Sequence, residues 1–220
     1  PDGINEKDIN LAIGLKLRDR LVRDMGIEVI MTREGDYFIP LGGRTTIGNR
    51  SDADLFMSIH ANGATRRSAT GLETYFLSME ATDKQAARLA AEENKSAQYD
   101  TEGLFAGGVE NEDDLKTILR DMISSENMKA SEQLAASVQK RMVETLNLPN
   151  RGVKQAPFFV LVGSKAPAIL VETGFVSNPD EARVLASESV QEQIADALYE
   201  AILYYDETLT ERTKGLKNAQ

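Results

Sequence analysis

The chain has 220 residues, with 25 Lys and Arg against 35 Asp and Glu, one histidine and no cysteine. This length suits one domain, or one domain with a large insertion, and is sufficient to bury a hydrophobic core. The absence of cysteine excludes a disulfide-stabilised miniprotein and every site built on protein thiolates. The net charge of −10 argues against the basic surface that nucleic-acid binding needs, and no apolar run reaches the ~20 residues that span a bilayer. We therefore expect no nucleic-acid partner and no membrane span.

The first sixty residues predict helices and strands in alternation. Between Asn5, a predicted N-cap, and Gly26, apolar residues recur at every fourth position, which predicts a long amphipathic helix. These residues are Ile9, Ile13, Leu17 and Leu21. Residues 27–32 (IEVIMT) predict a buried strand, residues 41–49 a short helix, and residues 54–60 (DLFMSIH) a second strand. His60 therefore lies where a strand ends.

The rest of the chain continues the alternation, with one interruption. Residues 72–77 predict a strand and residues 84–98 an Ala-rich helix. Residues 100–114 contain six acids, three glycines and no basic residue, which predicts a mobile loop or an acidic helix start. The remaining predictions are helices over 115–124 and 130–146, strands over 158–162 and 168–173, a helical region from Asn178-Pro179 to Tyr204-Tyr205, and a polar tail over 206–220.

This order predicts an α/β fold, a sheet with helices on both faces. In such sheets, ligands bind beyond the carboxyl ends of the strands. His60 closes one predicted strand, Glu172 closes another, and Glu6 lies in the first turn of the first helix. These three side chains are therefore candidates for one site.

A histidine and two glutamates at one sheet edge suit a catalytic zinc ion, which takes three protein ligands and a water. Each residue also has an ordinary structural interpretation. A single histidine after a strand is more often a hydrogen-bonded residue than a ligand, and Glu6 is placed to stabilise a helix N-terminus. Glu172 ends an apolar run, and a buried carboxylate without a partner or a function is costly.

Motifs along the chain resemble the zinc-dependent N-acetylmuramoyl-L-alanine amidases, the bacterial cell-wall amidases of the AmiA/AmiB/AmiC type. Their order is more specific than any one of them, and the resemblance covers about residues 1–205. The motifs are Glu6-Lys7-Asp8, Thr32-Arg33, Arg44, residues 53–62 (ADLFMSIHAN), Gly71-Leu72-Glu73, residues 150–158 (NRGVKQAPF) and residues 170–179 (LVETGFVSNP).

The resemblance implies that the central sheet is mixed and mostly parallel, and it implies the roles of the candidate residues. Glu6 and His60 match two zinc ligands, and Glu172 matches the catalytic acid/base. The third ligand of the family is a histidine in an Asp-Pro-Gly-His-Gly-Gly motif, which is expected upstream of Pro1 together with its strand. The implied reaction is hydrolysis of the amide bond between N-acetylmuramic acid and L-alanine of the stem peptide. Asn62, Arg151 and Lys154 are the candidates for lining the substrate cleft.

The resemblance also implies regulation. Division-associated members carry an insertion with a helix that blocks the zinc cleft until a LytM-domain activator displaces it, and residues 99–125 resemble this insertion. Glu102, Glu110 and Glu112 are the candidates for blocking the zinc, while a solvated acidic loop is the alternative. The domain prediction is thus a catalytic domain over 1–205, a regulatory insertion at 99–125 and a tail over 206–220.

Peptidoglycan is the expected substrate and partner, in cell-wall remodelling and daughter-cell separation, so the expected location is the periplasm. The alternative function is a degenerate amidase-like module that binds peptidoglycan or a partner without catalysis. The joint presence of Glu6, His60 and Glu172 favours the enzyme, because binding alone does not require Glu172.

Overall fold

The computed structural model describes residues 3–100 and 125–217. This part of the chain folds into six α-helices and one four-stranded sheet. The helices are α1 (Glu6–Met25), α2 (Leu41–Arg50), α3 (Lys84–Glu93), α4 (Ser125–Leu146), α5 (Pro179–Leu185) and α6 (Glu188–Lys217). The strands are β1 (Phe56–Asn62), β2 (Leu72–Leu77), β3 (Asn150–Ala156) and β4 (Ala168–Phe175), and short 3-10 turns occur at Asn94–Tyr99 and Phe159–Leu161. The helix predicted over 115–124 lies outside the described residues.

The sheet has the strand order β1-β4-β2-β3. β1 pairs with β4 and β2 pairs with β3 in parallel, whereas β2 and β4 are antiparallel. The predicted mixed, mostly parallel sheet is therefore confirmed. The register places Glu172 of β4 opposite both His60 of β1 and Glu73 of β2. Because residues directly opposite each other share a face of a sheet, these three side chains form one row across it.

Two hydrophobic cores cover the two faces of the sheet, as the sequence predicts. Alternate residues of β4 enter different cores, because successive side chains of a strand point to opposite faces. Ile169 and Val171 pack in the core that contains α1, α4 and α6. Ala168 and Leu170 pack in the core that contains α2, α3 and the Phe159–Leu161 turn. Glu172 continues this second set and therefore emerges on the α2/α3 side.

The first helix agrees with its prediction. The four apolar residues at its four-residue spacing are all buried, and Gly26 ends the helix in the left-handed conformation at a φ of 67°, where glycine carries no Cβ penalty. Asn5 is the N-cap residue, but its side chain does not cap the helix. Its Nδ2 instead donates to Asp8 Oδ2 at 2.9 Å.

The strand predicted over residues 27–32 is wrong. These residues have no regular secondary structure, and Ile27 and Ile30 are 39% and 45% exposed. A groove of about 1000 Å³ separates this segment from β1 and is also lined by α1. Since β1 is an edge strand of the described sheet, residues 27–32 have no strand beside them with which to form a ladder.

The strand predicted over residues 158–162 is also wrong. This apolar run is buried, but it forms the Phe159–Leu161 turn rather than a strand. β3 was not predicted, because its sequence NRGVKQA is largely polar. β3 is an edge strand, where one-sided hydrogen bonding and partial exposure permit polar residues. A continuous apolar run marks burial and does not by itself distinguish strand from turn.

The remaining differences concern helix ends. The α-helix predicted over 84–98 ends at Glu93 and continues as the Asn94–Tyr99 turn. The last helical region is divided into α5 and α6, and α6 continues to Lys217, into residues predicted as a tail. In the described part of the chain, no helix combines the length and the apolar character that a membrane crossing requires.

Candidate active site

The site lies at the carboxyl ends of β1 and β4. His60 is on β1, and the start of α1 brings Glu6 to it, with 3.1 Å between Glu6 Oε1 and His60 Nδ1. The same carboxylate oxygen accepts hydrogen bonds from the Ala61 N–H at 3.2 Å and from Asn10 Nδ2 at 3.0 Å. The structure therefore places Glu6 and His60 together, with Glu172 opposite His60 in the sheet.

The electrostatics of this pair favour the charged forms. Burial disfavours ionisation of Glu6, but its hydrogen bond with His60 and the charge of His60 outweigh this, so the pKa of Glu6 lies below its ordinary value. Burial also disfavours the imidazolium of His60. The hydrogen bond with Glu6 and the charge of Glu93 outweigh that effect and raise the pKa of His60.

Glu172 is the unusual member of the site. It is 0% exposed, and neither of its carboxylate oxygens has a hydrogen-bond partner in the described part of the chain. Burial, and then the charges of Glu6 and Glu93, raise the pKa of Glu172 well above its ordinary value. A buried carboxyl group with no partner is costly to the fold and is characteristic of functional sites.

Glu93, the last residue of α3, also lies in the site but was not among the predicted residues. Its Oε2 lies 3.3 Å from His60 Nδ1, and burial raises the pKa of its carboxyl group. One signal was available in the sequence. A helix has a partial negative charge at its C-terminus, so an acid there is unfavourable unless something else requires it.

These residues fit a metal ion. Ligand atoms of His60, Glu93 and Glu172 all lie within 4.8 Å of one another, and Glu6 contacts the same histidine. Imidazole nitrogen and carboxylate oxygen are common zinc ligands. The two Glu172 oxygens, which have no hydrogen-bond partner in the described part of the chain, independently indicate a site that a bound ion could complete.

Arg151 and Lys154, predicted to line the cleft, both contact Glu73. Arg151 Nε and Lys154 Nζ donate to Glu73 Oε1 at 2.6 and 3.0 Å. Tyr75 Oη donates to Glu73 Oε2 at 2.7 Å, and Asn62 Nδ2 approaches the same oxygen at 3.4 Å. All three predicted cleft residues therefore meet at one buried carboxylate, in the row that contains Glu172.

The predicted zinc-blocking acids, Glu102, Glu110 and Glu112, lie outside the described residues. So does most of the predicted insertion at 99–125, of which the structure describes residues 99, 100 and 125. Among the described residues, Glu93 is the acid that α3 brings to His60.

A mixed α/β sheet, with one histidine and several carboxylates grouped at its carboxyl edge, defines the class of α/β enzymes with a candidate metal centre. Within that class, residues 1–204 match the family model described as N-acetylmuramoyl-L-alanine amidase. The chain belongs to this family, and its enzymatic activity is that of an N-acetylmuramoyl-L-alanine amidase. The alternative of a binding module without catalysis is therefore not retained.

Curated relatives and solved structures agree with the family match. The chain is 35% identical over 207 residues to the N-acetylmuramoyl-L-alanine amidase AmiA of Escherichia coli strain K12, covering 93% of this chain and 69% of that protein. It is also 35% identical to AmiC of Neisseria meningitidis serogroup B, covering 94% of this chain and 49% of the relative. Among solved structures, an N-acetylmuramoyl-L-alanine amidase from Clostridium difficile 630 superposes with a TM-score of 0.68 at 28% identity, over 92% of this chain and 84% of that chain.

Proposed function

We propose that this chain is a zinc-dependent peptidoglycan amidase that cleaves the amide bond between N-acetylmuramic acid and L-alanine of the stem peptide, in cell-wall remodelling and daughter-cell separation. The observation that carries the proposal is Glu172, fully buried, without a hydrogen-bond partner in the described residues and opposite His60. A catalytic role accounts for the cost of burying this carboxyl group. The family supplies the class of reaction.

Glu6 and His60 would hold the zinc ion through a carboxylate oxygen and an imidazole nitrogen. When bound, zinc lowers the pKa of a water molecule and polarises the scissile carbonyl group. Glu6 also accepts a hydrogen bond from the Ala61 N–H, so the backbone next to His60 fixes the orientation of the Glu6 carboxylate. This second hydrogen bond keeps both proposed ligands at the end of β1.

Glu172 acts as the general base and then as the general acid. The attacking water gives a proton to the carboxylate of Glu172 while its oxygen bonds to the carbonyl carbon. The C–N bond breaks as Glu172 passes that proton to the departing nitrogen. The products are a lactyl carboxylate and the free amine of L-alanine. The raised pKa of Glu172 favours its holding this proton until the C–N bond breaks.

The third zinc ligand is, in this proposal, a histidine on a strand that precedes Pro1 and fills the groove between residues 27–33 and β1. The volume of the groove supports this, and so does its lining, which includes apolar side chains of α1 and β1 such as Leu17 and Ile59. A strand there would pair with the edge of β1 and cover Ile30. His60 lines the same groove, so the inserted strand would pass next to the site.

We propose that the site is autoinhibited, and the position of Glu93 beside His60 supports this acid as a blocking residue. Glu93 lies within 3.3 Å of His60 Nδ1 and would bind the zinc ion in place of the substrate. The proposed activator is a LytM-domain protein that displaces the end of α3, which carries Glu93. Since peptidoglycan lies outside the cytoplasmic membrane, the proposed location is the periplasm.

Glu172→Gln tests the catalytic proposal. We expect release of stem peptides from purified sacculi to fall by at least about a hundredfold, because the substitution removes the general acid/base. The matched control is Glu132→Gln, an exposed acid on α4, which should release peptides at the wild-type rate. Activity of Glu172→Gln equal to this control would refute the catalytic role.

Metal dependence is tested separately. Incubation with a chelator should abolish peptide release, and added zinc should restore it. Peptide release that persists after chelation, with no metal detected in the protein, would contradict zinc dependence.

A further inference from the structure

The position of Glu93 depends on the residue that follows it. Asn94 begins the turn after α3, and both polar atoms of its side chain bind the main chain of residues 157–159. Its Nδ2 donates to the Pro157 carbonyl at 2.8 Å, and its Oδ1 accepts the Phe159 N–H at 2.8 Å. Phe158 and Phe159 are buried in the α2/α3 core, so this main chain is a fixed support.

A second attachment closes the same turn. Asp100 is buried, and its Oδ2 accepts the Gly42 N–H in the first turn of α2 at 3.1 Å. The neighbouring Tyr99 ring meets the Phe38 ring edge-on at a centroid distance of 6.0 Å. Both rings are more than half exposed. Residues 94–100 are thus tied to the body of the protein at each end.

These attachments are needed because the place of Glu93 is electrostatically unfavourable. The carboxylates of Glu6 and Glu172 lie in the same site, and Glu93 also stands at the negative end of α3. His60 and the charge of Arg44 provide attraction, but His60 is shared with Glu6. The hydrogen bonds of Asn94 with the main chain of Pro157 and Phe159 hold Glu93 in place against the remaining repulsion from the other carboxylates.

We propose that Asn94 is a positioning residue, which fixes the end of α3 to residues 157–159 and thereby holds Glu93 beside His60. The inference rests on the proposed autoinhibition by Glu93 and adds the residue that maintains it. The Asn94 side chain itself binds neither zinc nor substrate in this assignment, because its polar atoms bind the main chain of Pro157 and Phe159. An activator that separates the turn from Pro157 and Phe159 would release Glu93 without disturbing the strands.

Asn94→Ala in the full chain tests the inference by three measurements. Amide hydrogen exchange at Phe159 should accelerate by about tenfold or more, because the Asn94 acceptor is lost. Transfer of zinc to a chromophoric chelator should become faster, because Glu93 is no longer held as a ligand. Basal release of stem peptides without activator should rise. Gln98→Ala, an exposed substitution in the same turn, should match the wild type in all three.

Two further variants keep the test decisive. Asn94→Asp retains an acceptor for the Phe159 N–H and loses the donor to Pro157, so we expect smaller changes in the same directions. The double variant Glu93→Gln/Asn94→Ala should match Glu93→Gln in zinc transfer and basal hydrolysis, because Asn94 acts through Glu93. Additive effects would overturn the inference, since they indicate independent roles.

The two proposals fail in different ways. Unchanged basal hydrolysis in Glu93→Gln would refute autoinhibition by Glu93, and the role of Asn94 with it. Raised hydrolysis in Glu93→Gln, combined with wild-type zinc transfer and basal hydrolysis in Asn94→Ala, would leave autoinhibition standing and overturn the positioning role alone.

Discussion

Replacing Glu73 with glutamine should destabilise the fold markedly. The Glu73 side chain is 2% exposed and neutralises Lys154, which is only 10% exposed, and Arg151, which is 26% exposed. Breaking a buried ion pair typically costs about 3–5 kcal/mol. Lys154 keeps a second partner, because Asp83 lies 3.1 Å away, and Arg151 also donates to Gln85 at 2.9 Å. We therefore expect a loss of about 2–4 kcal/mol in the free energy of unfolding.

Urea denaturation followed by far-ultraviolet circular dichroism measures this loss. For a chain of this size, each kcal/mol lowers Tm by roughly 2–4 °C, so a loss of about 2–4 kcal/mol should lower Tm by about 4–16 °C. Glu80→Gln is the matched control, because Glu80 is an exposed glutamate that follows β2 in the sequence. A double-mutant cycle with Lys154→Met should give a coupling of about 1 kcal/mol or more. A loss in Glu73→Gln no larger than that of the control would refute the assigned role of the cluster.

Three other substitutions test separate features by the same measurement. Asp83→Ala removes an N-cap that accepts two N–H groups of α3 at 2.8 Å and should cost about 1 kcal/mol. Those hydrogen bonds and then the ion pair with Lys154 lower the pKa of Asp83. The contribution of Asp83 to stability is therefore present above the unfolded pKa, and the stability difference between the variant and the wild type should shrink below about pH 4. A difference that stays constant down to about pH 2 would contradict this. Gly71→Ala should lower the free energy of unfolding by about 2–4 kcal/mol, because φ is +114° and a Cβ would lie 2.5 Å from the Pro149 oxygen. Gly63→Ala is the control, because a Cβ there would meet open space. Equal losses of stability in the two variants would exclude strain at Gly71. Gln139→Leu removes three hydrogen bonds of 2.8 Å from a buried site and should cost about 2–4 kcal/mol, whereas a neutral effect would show that its partners are satisfied by other groups.

The fold was predictable where periodicity and burial agree. α1 follows from its four-residue apolar spacing and the glycine that ends it, and β2 follows from a short apolar run. The edge strand β3 was not predictable from these rules, because only one side of it is paired and polar residues are permitted there. Residues 27–32 show the converse case. Their sequence favours a strand, but a strand needs a neighbour, and that is a property of the assembled sheet.

The candidate site was predictable in part. Strand ends and helix starts indicate that Glu6, His60 and Glu172 share an edge, because parallel strands bring their carboxyl ends together. Glu93 required the structure. It lies 33 positions after His60 in the sequence, on a helix whose direction over the sheet depends on the packing of Ala86, Leu89 and Ala90. The contacts of Arg151 and Lys154 with Glu73 depend similarly on the pairing of β2 with β3.

The two layers of the protein separate the proposed catalytic residue, Glu172, from the proposed inhibitory residue, Glu93, in energetic terms. β4 carries Glu172 and is bonded on both sides, to β1 and β2, so exposing this carboxyl group requires unfolding near the global free energy. Glu93 belongs to α3, which packs in the α2/α3 core and contributes nothing to the ladder of β4. Moving α3 away from the sheet therefore requires less free energy than unfolding the sheet. In the proposed autoinhibition, a partner protein would therefore need to supply only the free energy that moves α3, while the row of His60, Glu172 and Glu73 stays assembled.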